Sequence, residues 1–236
     1  MSINRLVVKQ LIYNENGYRD VLKEVFLSES NFIILDCEKY ILEEVLQQCQ
    51  QVGLISQGYY FLLTSLDAHT VNLDNYKHGG TNFTAFRMID INKPEIQNVI
   101  YNIVTSALLE SGRNEIPQDA KLDTATALIF DSVHAFAMAL NELSAVQQVV
   151  PRPLDCSGTN SWPHGNSLIN YMKMVEFVGL SGPIKLDQNG MRTEFAMTLQ
   201  ELQIQELVRI LYNLSLKNYI INLNNLNLFL LHKKKT

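Results

Sequence analysis

The spacing of apolar and polar positions changes several times along the chain, and each change marks a new element. Arg5 to Ile12 is apolar and β-branched enough for a strand, and the Asn14–Gly17 cluster breaks it. In the next segment Tyr18, Val21, Leu22, Val25 and Phe26 fall at helical spacing. Phe32 to Leu35 is a continuous apolar run, as in a strand covered on both faces. Between Lys39 and Val52 the residues Tyr40, Ile41, Val45, Leu46, Cys49 and Val52 recur at three- and four-residue steps, and Gly53 supplies a stop. Tyr59 to Leu63 is again strand-like. Strand, helix, strand, helix, strand is the pattern of βαβ units and a parallel sheet, so the predicted class is α/β.

Beyond the polar stretch Asp67–Gly80, Phe83–Ile89 reads as a strand and Pro94 opens a helix over Glu95–Leu109. The longest periodic segment is Leu122–Leu143. Its residues Leu122, Ala125, Leu128, Ile129, Val133, Phe136, Ala137 and Leu140 form one apolar stripe, which is expected to face a core. Val150–Gly165 is a Pro- and Gly-containing loop with Cys156 at its centre. A helix is expected over Asn166–Val178, ending at Gly179, then two strands, Pro183–Leu186 and Glu194–Leu202, around an Asp187–Gly190 turn. From Asn213 the chain is rich in Asn, Leu, Ile and Lys with no clean period, and no packed role is expected for it.

Composition narrows the function classes. The chain has 236 residues, of which 47% are hydrophobic and 18% charged, as in ordinary globular proteins. A net charge of -5 gives no positive field for phosphate neutralisation, and Lys233, Lys234 and Lys235 are read as a solvated tail, so no nucleic-acid partner is expected. Residues 1 to 20 contain no uninterrupted apolar stretch of a secretory leader. Tyr219–Leu231 is too short and too rich in Asn to span a membrane, so no membrane contact is expected.

No catalytic, cofactor-binding or metal-binding constellation is expected. Neither the GxGxxG nor the GxxxxGK spacing occurs, and a Gly-x-Ser-x-Gly elbow is missing. Asp131 and His134 lie three apart on one predicted helix, which would let the carboxylate orient the imidazole, but no nucleophile accompanies them and a structural pair is the expected reading. His69, His78, His164 and His232 are scattered and read as solvated. Cys37, Cys49 and Cys156 form no Cys-x-x-Cys pair. The first two read as small buried hydrophobes. Two sequons, Asn82-Phe83-Thr84 and Asn213-Leu214-Ser215, are candidate N-glycosylation sites, with Asn82 at the mouth of a predicted strand behind Gly79 and Gly80.

Leu180–Arg192, LSGPIKLDQNGMR, resembles a segment shared by the amino-terminal domains of AMPA and kainate receptors. Thr126–Ala139, TALIFDSVHAFAMA, and Tyr59–Leu66, YYFLLTSL, resemble a helix and a strand of the same domains, in the same order. FIILDC at Phe32–Cys37 and GTNFTAFR at Gly80–Arg87 extend the likeness. It runs from about Leu6 to Arg209 and favours kainate-type ionotropic glutamate receptors through FDSVHA and the Asp36-Cys37 pair.

The resemblance implies a type I periplasmic-binding-protein-like α/β fold of two lobes, lacking about the first third or more of the domain, so that the first lobe is incomplete. Residues 1–90 would form the second lobe, 91–180 part of the first, 181–210 the return to the second, and 211–236 an atypical low-complexity tail. The tail departs from the family near Leu211 and is expected to be read from non-coding sequence or a mis-assembled gene model. The resemblance also implies that Cys156 has lost its disulfide partner with the missing part. The implied function is subunit dimerisation and assembly in a glutamate-gated cation channel, on the extracellular face of the plasma membrane. Other receptor subunits would be the partners, with no catalysis and no small-molecule ligand named. The alternative is a small-molecule sensor, akin to an amino-acid-binding protein or a class C receptor lobe. An incomplete lobe also predicts marginal solubility of the chain made alone.

Overall fold

A computed structural model describes residues 5–90, 92–111, 121–153, 162–202, 207–214 and 227–232. The chain divides into two compact units, residues 1–87 with 197–236, and residues 88–196.

The first unit is built on a seven-stranded sheet. Its strands are β1 (Arg5–Gln10), β2 (Phe32–Asp36), β3 (Tyr60–Leu63), β4 (Asn82–Arg87), β7 (Met197–Leu202), β8 (Leu207–Leu214) and β9 (Asn227–His232), in the order β1-β9-β2-β3-β4-β7-β8. β1, β9, β2, β3 and β4 run parallel, β7 is antiparallel to β4, and β8 is antiparallel to β7. Helices α1 (Arg19–Leu27) and α2 (Lys39–Val52) make the crossovers that parallel strands require.

Period-two alternation decides which sheet face is dry. Ile33, Leu35, Phe61, Leu63, Phe83 and Ala85 point one way and are buried with Leu42, Val45, Leu46 and Cys49 of α2 and Leu22 and Val25 of α1. Phe61 and Phe83 stack there at 5.2 Å between ring centroids. α2 stops at Gly53, whose φ of +94° suits a residue without a Cβ, and the Leu54 N–H reaches back to the Cys49 carbonyl at 2.9 Å. Gly17 sits against the buried Gln48 amide, whose oxygen accepts from the Tyr18 N–H at 2.7 Å. A Cβ at Gly17 would overlap that side chain.

One described stretch of the tail packs, against the expectation from its composition. Asn227–His232 inserts between β1 and β2 as β9, and Leu231 is fully buried in the core of this unit. The facing edges of β1 and β2 carry backbone N–H and C=O groups that need partners, and a strand between them supplies these despite its poor periodicity.

The second unit contains α3 (Pro94–Ser111), α4 (Thr124–Val146), α5 (Gly165–Met174) and a hairpin of β5 (Glu176–Gly179) and β6 (Gly182–Lys185). The helix expected to reach Val178 therefore ends at Met174, because Val175 leaves helical geometry and Glu-Phe-Val-Gly pairs as a strand. The two strands expected around the Asp187–Gly190 turn do not pair with each other as a hairpin. β6 pairs with β5, β7 joins the sheet of the first unit, and the turn is closed locally by Asp187 and a Leu186–Arg192 bridge.

α4 overturns the expected core face. Asp123 caps it, accepting from the Thr126 N–H at 2.8 Å. Its buried residues are Thr124, Ala127, Asp131, Ala135, Ala139 and Leu143, whereas Ile129, Val133 and Phe136 are 65%, 64% and 46% exposed. Both faces of this helix are apolar, so bulk alone does not orient it. The small side chains allow a close approach by α5, where Leu168 and Val175 meet Ala135, Ala139 and Leu143. Of the expected stripe, Leu122 is buried and Leu140 packs against this cluster, whereas Leu128, Ile129, Val133 and Phe136 are left outside.

Candidate functional site

The best-built polar constellation in the second unit centres on Asp131. The two-residue turn Leu180-Ser181 joins β5 to β6, and both of its N–H groups point at the Asp131 carboxylate. Leu180 N–H donates at 2.7 Å to one oxygen, while Ser181 N–H and Ser181 Oγ donate to the other at 2.8 and 2.6 Å. Ser181 Oγ in turn accepts from Arg192 Nη1 at 2.9 Å. Arg192 Nη2 donates to the carbonyls of Ser181 and Pro183 at 3.0 and 2.7 Å, and Nε to that of Glu194 at 2.9 Å. Burial lowers the Arg192 pKa, and the Asp131 charge opposes that shift. An arginine stays protonated regardless, so the arrangement is a charged network and not a proton relay.

Local sequence makes this geometry available. Gly179 passes so close that a Cβ there would fall on the Asp131 carboxylate, and Gly182 has a φ of +98° on the far side of the turn. Glycines therefore stand where the carboxylate approaches, at Gly179, and where the backbone reverses, at Gly182. Asp131 and His134 do not meet as an acid–base pair. The carboxylate is directed at the hairpin, and the His134 ring is exposed and edge-on to Phe177 at 4.8 Å.

The remaining candidate residues are dispersed. Asn82 opens β4 with its side chain exposed, and Asn213 lies in β8. Cys156 falls outside the described residues. Cys37 and Cys49 are buried free thiols. Burial, with the neighbouring Asp36 and Glu38, raises the Cys37 pKa to about 12, and burial raises that of Cys49 further. His164 is edge-on to Trp162, and His78 is exposed. Among the described residues no group of three or more His, Cys, Asp and Glu side chains could hold a metal ion, and no helix is long and apolar enough to cross a membrane.

Sequence reasoning did not find Ser181 and Arg192 as the partners of Asp131, nor the outward orientation of the α4 stripe. The available signal was the Ala127, Asp131, Ala135, Ala139 spacing, a row of small residues around one carboxylate.

The family model described as "Receptor family ligand binding region" matches residues 4–205. The chain is 31% identical to "Glutamate receptor ionotropic, kainate 5" of Mus musculus over 181 residues and 32% identical to that of Homo sapiens over 183, in each case 77% of this chain. It is 27% identical over 201 residues, 84% of its length, to "Glutamate receptor ionotropic, kainate 1" of Homo sapiens. The chain spans 18–22% of the length of these relatives. The parallel sheet with its crossover helices agrees with the periplasmic-binding-protein-like class expected for such a region. The match covers most of the chain, which therefore belongs to the receptor family ligand binding region, with kainate-type ionotropic glutamate receptors among its relatives.

Proposed function

We propose that this chain is part of the extracellular amino-terminal domain of a kainate-type glutamate receptor subunit and serves in subunit pairing and assembly, without catalysis. The observation that carries the reading is the kainate-receptor likeness over 77% of the chain. The exposed apolar side chains of α4, Ile129, Val133 and Phe136 among them, support a role in protein contact, since protein interaction sites are one setting in which such groups are exposed. On this reading the two units belong to the two lobes, the expected return of 181–210 to the first being made only from β7 at Met197, and Asn82 and Asn213 carry glycans. The partners are other receptor subunits, and the parent receptor sits in the plasma membrane with this domain outside.

Sedimentation velocity of the secreted chain, alone and mixed with the amino-terminal domain of a kainate receptor subunit, tests the proposal. A reversible complex of defined stoichiometry is expected. Monomers at every concentration, with no mixed species, would sink the assembly role.

A second reading, small-molecule sensing, is favoured by the description of the matched family as a ligand binding region. Calorimetric titration with a panel of free amino acids separates the two: saturable heat supports sensing, and no heat supports assembly alone.

A further inference from the structure

Three side chains lie in one row across the first unit's sheet. Phe32 on β2 pairs in register with Tyr60 on β3, and Tyr60 pairs in register with Asn82 on β4. β3 lies between the other two strands, so Phe32 and Asn82 flank Tyr60 from opposite sides. Directly paired residues project from the same sheet face, with neighbouring strands about 4.8 Å apart. The face is the outer one, because the next residues along, Ile33, Phe61 and Phe83, are buried on the other.

The rings of Phe32 and Tyr60 are stacked, with centroids 4.5 Å apart and planes 8° from parallel. Phe32 therefore fixes the orientation of Tyr60 and covers one of its faces. Tyr60 nevertheless remains 41% exposed, and the side chain on its other flank is the exposed sequon residue Asn82. A large aromatic ring left in water beside a glycan acceptor has an obvious use. The C–H face of a pyranose is apolar and slightly positive, which suits the negative face of an aromatic ring.

We propose that Tyr60 is the packing platform for the first N-acetylglucosamine of an N-linked glycan on Asn82. In the attachment step a transferase uses a lipid-pyrophosphate-linked oligosaccharide. A bond forms between Asn82 Nδ2 and the sugar's anomeric carbon, the bond from that carbon to the lipid pyrophosphate breaks, and the amide loses one proton. The attached sugar then extends from β4 over the neighbouring strand and covers the open flank of Tyr60. The proposal rests on the extracellular reading given above, but its test is independent of assembly.

The full chain, secreted from mammalian cells behind a cleavable leader and carrying a ¹³C-labelled glycan, is compared by NMR with Tyr60→Leu and Tyr60→Phe, with Asn82→Gln used to assign the signals. Expected is an upfield ring-current shift of the acetyl methyl resonance on Asn82 that is lost in Tyr60→Leu and kept in Tyr60→Phe. Tyr60→Leu preserves an apolar contact on Phe32, so a folding defect is separable by its amide spectrum. If that variant unfolds, the Tyr60→Phe comparison and slower endoglycosidase trimming of native than of denatured protein decide the question. A glycan whose methyl resonance matches free glycan overturns the platform alone. An unoccupied Asn82 on secreted protein overturns the site as well, while sedimentation continues to report on assembly.

Discussion

The Asp131 carboxylate on α4 accepts both the backbone N–H and the hydroxyl of Ser181, at 2.8 and 2.6 Å, across 50 residues of chain. The pair joins the longest helix to the β5–β6 hairpin. Replacing Asp131 by Ala strands the Leu180 and Ser181 donors in a buried site and removes the charge beside Arg192. The expected loss is about 3 kcal/mol, read from urea denaturation, with faster hydrogen exchange at the Leu180 and Ser181 amides. A loss below about 0.5 kcal/mol would mean that water replaces the carboxylate without cost.

Gly179 tests the same joint from the other side. A Cβ there overlaps the carboxylate, so Gly179→Ala is expected to cost about 1–3 kcal/mol. In an Asp131→Ala background the obstacle is gone, and the added penalty should largely disappear. Equal penalties in the two backgrounds would show that the glycine is needed for another reason.

The outward stripe of α4 makes a prediction opposite to the one its sequence suggests. Ile129→Glu and Val133→Lys should each change the stability of the isolated chain by about 0.5 kcal/mol or less, because both sites are solvated. Both should also lower binding of the apolar dye ANS. A cost of several kcal/mol in urea denaturation would place these residues in a core instead.

The buried thiols give a pH signature. An unfolded cysteine titrates at about 8.5. Cys37 in the folded chain is raised to about 12 by burial and by Asp36 and Glu38. The folded state then keeps a proton that the unfolded state releases. This contribution to stability is fully present below about pH 8.5 and is lost as pH rises towards the folded value. The urea midpoint should fall between pH 8 and pH 10, and less steeply in Cys37→Ala. In a Cys156→Ser background Ellman's reagent should label Cys37 and Cys49 only on unfolding; immediate labelling at pH 8 would contradict their burial.

Leu231 tests the packed tail. It is fully buried among the core residues of the first unit, so Leu231→Ala should cost about 2–5 kcal/mol in chemical denaturation. An unchanged midpoint would return β9 to the unpacked role that its composition suggests.

The parts of the fold legible in the sequence are those set by local pattern. β2, α2 and β3 carry their periods openly, and Gly53 marks a helix stop through a backbone conformation that glycine accepts at no cost. The type and length of α4 were equally legible, but its orientation was not. Both of its faces are apolar, and the deciding influence was a carboxylate whose donors lie 50 residues downstream. β9 was illegible because Asn-Leu-Phe-Leu-Leu-His has no diagnostic period, and its strand geometry depends on two neighbours from the other end of the sequence. For the candidate site, the sequons could be located by inspection. The aromatic row beside Asn82 depends on strand register, which no local window contains.

The position of β9 also constrains the order of events during biosynthesis. Arg5 pairs with Asn227, so β1 and β2 cannot acquire their shared neighbour until translation has passed His232. Pairings this distant in sequence close slowly, and until then two parallel strands wait with open edges. The sheet of the first unit is thus completed late, by a strand that reaches its place only after both of its neighbours have been made.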